Sequence, residues 1–399
     1  YDMGGTSTDV ALILNGTPPV SNEIEVEYGM PIHVPMVDVR TVGAGGGSIA
    51  RVNPAGLLEV GPHSAGADPG PICYGRGGTD PTISDANMLL GRLNPEKLNS
   101  VTGGTSTDDI ASIFQTKLGT PLGVDARAAA EAVIRLANAK MSGAIRMVSL
   151  SLGADPRDFA LFAFGGAGPL HAAALALELG VPRVMIPARP GITNALGCAI
   201  ADLRHDFVQT INQSLDTVDV QVLHNVFAAQ SSAGQSALKR EAVKVCEVQT
   251  EFSVDMQFLG QSHVIRIHLN HGKPTATELR KKFEAVYWTR FKVDLPQIGA
   301  RIVNASCSVI GVCYPIDLSQ LIDPAGRHDT AMPVTTRDVY FDGAAYKTPV
   351  YWRDHLPQNV QLNGPAVIEQ LDCTILIPPG DHVTGGVDGN LTIHIGGAE

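Results

Sequence analysis

From residue 158 to residue 186 the chain reads strand, glycine turn, helix, strand, and that order constrains the fold more than any other feature. Asp158 to Phe164 is a short apolar run, and Gly165-Gly166-Ala167-Gly168-Pro169 follows it. Pro169 stands where a helix begins. The helix is expected over 170–179, ending at Gly180, and the next strand over 184–186. Strand, glycine turn, helix and strand in that order are a nucleotide-binding crossover pattern, which reads as an α/β protein. The competing reading of Gly165, Gly166 and Gly168 is tight strand–helix packing with no ligand.

The first residues carry a second glycine turn. Tyr1-Asp2-Met3-Gly4-Gly5-Thr6-Ser7-Thr8-Asp9-Val10 puts two acids, two glycines and several hydroxyls ahead of an apolar strand. Glycines let backbone N–H groups approach an anion, as in a phosphate-holding hairpin. Thr6 and Thr8 can donate to phosphate oxygens. Asp2 and Asp9 can hold a hydrated Mg²⁺, an ion that prefers oxygen ligands and keeps its waters. Because the chain begins without Met inside such a turn, further protein is expected before it. A third glycine run, Gly43-Ala44-Gly45-Gly46-Gly47-Ser48, is read as a phosphate or substrate lid with Ser48 as a donor, against a purely structural turn.

Composition bounds the partners. In 399 residues the net charge is −11 and no basic run occurs, which argues against nucleic acid. No apolar stretch approaches the roughly 20 residues of a membrane span, and no signal peptide is visible. Apolar content of 44% with 42 glycines indicates packed domains, not disorder. The six cysteines, at 73, 198, 246, 307, 313 and 373, form no CxxC pair. They read as reduced core residues of a cytoplasmic protein, with zinc disfavoured.

Residues 1–14 and 20–28 read as strands joined at Asn15-Gly16, a strong hairpin signal. Another strand is expected over 34–42, and a long irregular loop over 61–82. Ser84 or Asp85 caps a short helix, so Asp85 and Asn87 are read as a cap rather than a catalytic pair. A buried helix fills 125–148. His171, on the first turn of an apolar helix, is read as a satisfied core histidine before a general base. From 205 to 316 the order is βαββαβ, the ferredoxin-like unit, with strands at 205–213, 247–258, 262–269 and 300–314. Short alternating strands follow to the end.

With these segments in view, the chain resembles the hydantoinase A/5-oxoprolinase family, which includes acetone and acetophenone carboxylase subunits. The resemblance rests on residues 2–9, 42–48, Ser64-Ala65-Gly66-Ala67-Asp68-Pro69-Gly70-Pro71, Thr82-Ile83-Ser84-Asp85-Ala86-Asn87, 164–172, Ala201-Asp202-Leu203-Arg204-His205-Asp206 and Gly364-Pro365-Ala366-Val367-Ile368-Glu369-Gln370. It covers essentially the whole chain. It implies an actin-like (ribonuclease H-like) ATPase lobe over 1–204, an α+β domain over 205–324 and a small β domain over 325–399. A preceding lobe with its own phosphate hairpin is also implied, so the chain alone is expected to bind ATP weakly.

The resemblance further implies ATP-dependent opening of a cyclic amide (5-oxoproline or hydantoin type) by phosphorylation of its carbonyl oxygen. Asp2 would then hold Mg²⁺ through water, with Gly4, Gly5, Thr6 and Thr8 on phosphate oxygens and Asp9 orienting the hairpin or a water. Gly45, Gly46 and Gly47 would lie at the nucleotide or substrate, and Gly165, Gly166 and Gly168 against the nucleotide. Asp202, Arg204 and His205 are read as a surface ion cluster before a substrate contact. A hydantoinase B-like subunit is an expected partner, and a homo-oligomer is open. The alternatives are the ATP-binding subunit of a ketone carboxylase and a non-catalytic actin-like module.

Overall fold

The computed structural model of the chain describes residues 1–21, 24–26, 30–32, 36–95, 105–151, 153–322, 326–386 and 388–396. They fall into two compact units, Tyr1–Leu196 with Asp317–Glu399, and Gly197–Ile316.

In the first unit the glycine turns set the sheet. Gly4 N–H donates to the Ser7 carbonyl at 3.1 Å, so the chain reverses at 4–7 and Asp2–Met3 pairs antiparallel with Thr8–Val10. Thr8–Val10 then pairs with Arg40–Val42. The expected pairing of 1–14 with 20–28 is thereby corrected. Asn15 and Gly16 do form a tight turn at φ +52° and +78°, but it closes only a Leu14–Thr17 bridge. Hydrogen bonds of 8–10 go to 40–42 instead, and 22–23, 27–29 and 34–35 lie outside the described residues.

Ala160–Phe162 and Arg183–Ile186 are parallel neighbours, joined through the helix Gly168–Leu179 in line with the crossover pattern. Gly180 ends that helix at φ +71°, a left-handed conformation that glycine adopts at little cost. A parallel bridge between Asp2 and Phe164 links this pair to the opening hairpin. On the other side Leu391–His394 pairs with Arg183–Ile186, followed by His382–Gly385 and Gln361–Asn363. Strands from the end of the chain therefore extend the sheet that carries the site.

The helix Ala126–Ser151 packs on the sheet with Ala129, Val133, Ala137 and Met141, four residues apart and fully buried. The short helix Ile83–Leu89 is capped by Thr82, and Asp85 is its third residue, closing a capping box. The N-cap is therefore Thr82 and neither Ser84 nor Asp85, although Asp85 takes part in the cap as its third residue. Asp85 accepts from the Ile72 and Cys73 N–H groups as well as from Thr82, so it ties the irregular loop to the helix. Burial pushes its carboxyl upward and these donors pull it back.

The second unit has the expected βαββαβ order. Its strands are Leu203–Ser214, Val245–Phe258, Ile265–Leu269 and Ala300–Cys313, with helices Val220–Glu241 and Ala276–Phe291. Neighbouring strands are antiparallel, and Ala300–Cys313 lies between Leu203–Ser214 and Val245–Phe258. Each helix thus joins two strands separated by one other. Phe258 and Phe283, with ring centroids 4.7 Å apart, centre its own core.

Of the six cysteines, Cys73, Cys307 and Cys373 are buried, whereas Cys198 and Cys246 are exposed, which corrects the reading of all six as core residues. Apolar neighbours do not mark burial at these two positions, since Ala199, Ile200 and Val248 are exposed as well. Among the described residues no helix is long and apolar enough to cross a membrane.

Candidate functional site

The two glycine turns meet. Met3 N–H donates to the Phe164 carbonyl at 3.2 Å, Phe164 N–H to Tyr1 at 3.0 Å, and Ala167 N–H to Met3 at 3.0 Å. Gly165 sits against Asp2 at φ +81°, and a Cβ there would fall 2.1 Å from Asp2 Oδ1 and 2.6 Å from the Met3 carbonyl. Only glycine allows both the backbone conformation and the approach. Gly166 lies near the Asp372 carbonyl, and Gly168 begins the helix that Pro169 continues.

At the hairpin tip Gly5 and Thr6 are exposed. The N–H groups of Gly5, Thr6 and Ser7 have no hydrogen-bond partner among the described residues. Three successive free donors make a concavity suited to an anion. Asp2 and Asp9 are directly opposite each other, so their carboxylates share one face of the hairpin. Asp9 is held by the Thr41 hydroxyl at 2.6 Å.

Thr8 does not share the tip. It is fully buried, and its hydroxyl donates to the Ala44 carbonyl at 2.5 Å. Strand alternation turns it into the core while Asp9 faces out. The hydroxyl available at the tip belongs to Thr6.

The loop 43–48 lies beneath the hairpin, with 44–48 buried. Gly46 N–H donates to Gly4 at 3.0 Å, Gly47 N–H to Gly5 at 2.6 Å, and Gly45 N–H to Ser48 Oγ at 2.8 Å. No N–H of 45–47 is left for a ligand, and Ser48, fully buried, accepts the Gly45 N–H. A Cβ at Gly45 would stand 2.5–2.6 Å from the Thr6 and Ser7 backbone. The geometry is that of a buttress under the tip, not a lid over it.

Two residues that sequence reasoning missed complete the surroundings. Asn194 Nδ2 donates to Asp2 Oδ2, and Asp372 Oδ2 accepts from Gly191 N–H at 2.7 Å. The run Pro190-Gly191-Ile192-Thr193-Asn194, a turn after a strand, was the available signal. Beside Asp2 and Asp9 opens a cavity of about 580 Å³, walled by apolar side chains such as Val10, Leu12, Leu161 and Phe164. Among the described residues no three His, Cys, Asp or Glu side chains converge as a metal centre.

The other sequence candidates have partners of their own. His171 is buried, with Nδ1 on Asn138 Oδ1 at 2.8 Å and Nε2 facing the Asn87 amide at 3.1 Å. Burial pulls it down to about 3, so it is a neutral core histidine, with its proton on Nδ1. In the second unit Arg204 pairs with Asp206 at 3.0 Å and Glu251 at 3.4 Å, and His205 lies 3.0 Å from Glu241. Asp202 accepts from Cys313 N–H at 2.8 Å. They are structural contacts of that unit.

A family model described as hydantoinase/oxoprolinase matches residues 1–207, and one described as hydantoinase/oxoprolinase C-terminal domain matches 212–395. The caprolactamase subunit alpha of Pseudomonas jessenii is 35% identical over 392 residues, covering 96% of this chain and 56% of that protein. A crystal structure of the ATP-dependent caprolactamase from the same organism superposes with a TM-score of 0.79 at 32% identity, over 98% of this chain and 58% of that one. A nucleotide-free structure of acetone carboxylase gives 0.79 at 26% identity, over 98% and 57%. The chain thus spans about half the length of the curated relatives it matches.

Proposed function

The chain belongs to the hydantoinase/oxoprolinase family, and from that membership and the site's geometry we propose that it forms the ATP-binding part of an enzyme that opens a cyclic amide. The reaction proposed is phosphorylation of the amide carbonyl oxygen, followed by hydrolysis. The observation that carries this reading is the contact of the Asp2–Asp9 hairpin with the 164–168 elbow, which brings an anion-binding tip and a glycine-lined wall together.

The residues present fit a magnesium nucleotide. The tip offers three N–H donors without a partner among the described residues for phosphate oxygens, and the Asp2 carboxylate is seated against Gly165. Mg²⁺ commonly takes one or two carboxylates and fills its remaining positions with water and phosphate. Asp2 is the carboxylate at that place. ATP would supply the phosphoryl group that activates an otherwise poor amide. The chain's own part is positioning and charge: Gly5, Thr6 and Ser7 N–H groups hold the phosphate, with the Thr6 hydroxyl beside them. Asp2 holds the hydrated cation, and Asp9, fixed by Thr41, orients a water. Such preorganised donors are the usual main contribution in phosphoryl transfer. Gly45–Gly47 support the tip from below.

The surrounding sheet, in the order 40–42, 8–10, 2–3, 160–162, 183–186, supports an actin-like lobe. A hydantoinase B-like subunit as partner, and the cytoplasm as compartment, are part of the same reading. The similarity to acetone carboxylase favours a second reading, in which the activated species is a ketone enol.

Phosphate release by the full-length protein tests both readings. Release that depends on an added lactam, 5-oxoproline or hydantoin is expected, and Asp2→Ala should lower it by about a hundredfold or more while the circular dichroism stays unchanged. Dependence on a ketone and bicarbonate would move the assignment to a carboxylase. Release without any substrate, or near-normal turnover in the Asp2→Ala protein, would overturn the assignment.

A further inference from the structure

The Asp2 carboxylate is held from behind by a chain of contacts that starts in the C-terminal strands. Arg353, only 7% exposed, donates through Nη2 to the Ile186 carbonyl at 3.3 Å and the Gly389 carbonyl at 2.9 Å. Its Nη1 donates to Gln370 Oε1 at 2.6 Å, and Gln370 Nε2 donates to Asp372 Oδ1. Asp372 Oδ2 takes the Gly191 N–H at 2.7 Å. At Gly191 a Cβ would fall 2.6 Å from Asp372 Cβ, so the two are in close contact.

The segment that carries Gly191 is pinned on its other side too. The Pro190 carbonyl accepts from Gly165 N–H at 2.9 Å, and the Thr193 hydroxyl donates to the Arg189 carbonyl at 3.0 Å. One turn later Asn194 Nδ2 reaches Asp2 Oδ2 at 2.5 Å. The other carboxylate oxygen, Oδ1, occupies the space that Gly165 leaves by having no side chain.

We propose that Asn194 and Asp372 are positioning residues for Asp2: Asp372 sets the 190–194 segment, and Asn194 fixes the carboxylate so that Oδ1 is presented to the hydrated cation of a bound magnesium nucleotide. This rests on the nucleotide reading above. An amide suits the task because it donates a hydrogen bond without bringing a charge, so Asp2 keeps its full negative charge for the cation. A lysine or arginine at 194 would compete with that cation directly. Partners of this kind, one step behind a ligand to a metal, typically change metal affinity by about 10–100-fold when removed.

The test is calorimetric binding of ADP to the full-length protein, with Mg²⁺ and with the metal removed by EDTA. Asn194→Ala is expected to weaken MgADP binding about tenfold and to leave metal-free ADP binding unchanged. Asp372→Ala should do the same, and the double variant should be no worse than either single one, because both act through one path. Asp372→Asn, whose amide oxygen still accepts from Gly191 but whose amide nitrogen then meets the Gln370 Nε2 donor, should restore part of the affinity. Equal loss of ADP binding with and without metal would mean a merely structural role and overturn the proposal. So would MgADP binding by Asn194→Ala at the unmodified protein's affinity. Failure of the unmodified protein to bind MgADP at all would overturn the nucleotide reading along with it.

Discussion

At position 165 there is no room for a methyl group, and at position 171 there is no room for a charge. Both facts follow from what surrounds each residue. His171 is enclosed by apolar helices, and its two nitrogens are satisfied by Asn138 and Asn87. Its ionisation is pulled down to about 3 by burial. An unfolded histidine takes up a proton below about pH 6.5. The folded one does not until about 3, so the unfolded state binds more protons across that window and stability rises with pH there. The stability tied to neutral His171 is therefore complete above about 6.5 and is lost as pH falls towards 3, on the order of 1 kcal/mol per pH unit. Urea unfolding between pH 7 and 4 should show a shallower decline in His171→Gln than in the unmodified protein. Parallel declines would contradict this account.

How far single residues were legible depends on what their role requires. The glycine turn at 165 was readable because glycine punctuates a chain locally, and the structure holds it at φ +81° against Asp2. Thr8 was misread because its direction depends on strand alternation, which puts it against Ala44. Asn194 stands in a legible turn after a strand, but its partner and that of Asp372 were not legible, since they lie 192 and 181 residues away along the chain.

Among the elements, the loop 43–48 departs most from its sequence reading. Of its two readings, a phosphate or substrate lid and a structural glycine turn, the contacts favour the turn, whose glycines let one backbone lie directly on another. Gly45→Ala would place a methyl group 2.5–2.6 Å from the Thr6 and Ser7 backbone, so the tip must shift. The expected outcome is MgADP affinity reduced by about tenfold or more in the full-length protein, with a stability loss of about 1–3 kcal/mol by urea unfolding. Unchanged affinity would show that the tip does not depend on this support. Other elements were legible where periodicity or capping chemistry is strong, as in Ala126–Ser151 and Gly168–Leu179. The opening strands were not, because the Asn15-Gly16 turn is real but closes a single bridge, and pairing partners further along the chain leave no local trace.

On the scale of the whole molecule, strands from both ends of the chain contribute to the first unit, and Leu391–His394 pairs directly with Arg183–Ile186, while 197–316 closes on a core of its own. Asp372 reaches Gly191 from the turn between the paired strands Ala366–Glu369 and Thr374–Ile377. Local patterning marked the last strands as β structure but carried no sign of where they dock. The site is thus assembled from the beginning, middle and end of the sequence, and its central claim is that hairpin and elbow hold one nucleotide between them. The most direct measurement is a crystal structure of the full-length protein with Mg²⁺ and a non-hydrolysable ATP analogue. The account predicts phosphate density on the Gly5, Thr6 and Ser7 N–H groups, the cation beside Asp2 Oδ1, and the nucleoside against Gly165 to Gly168. A nucleotide bound away from both turns, or touching only one of them, would contradict it.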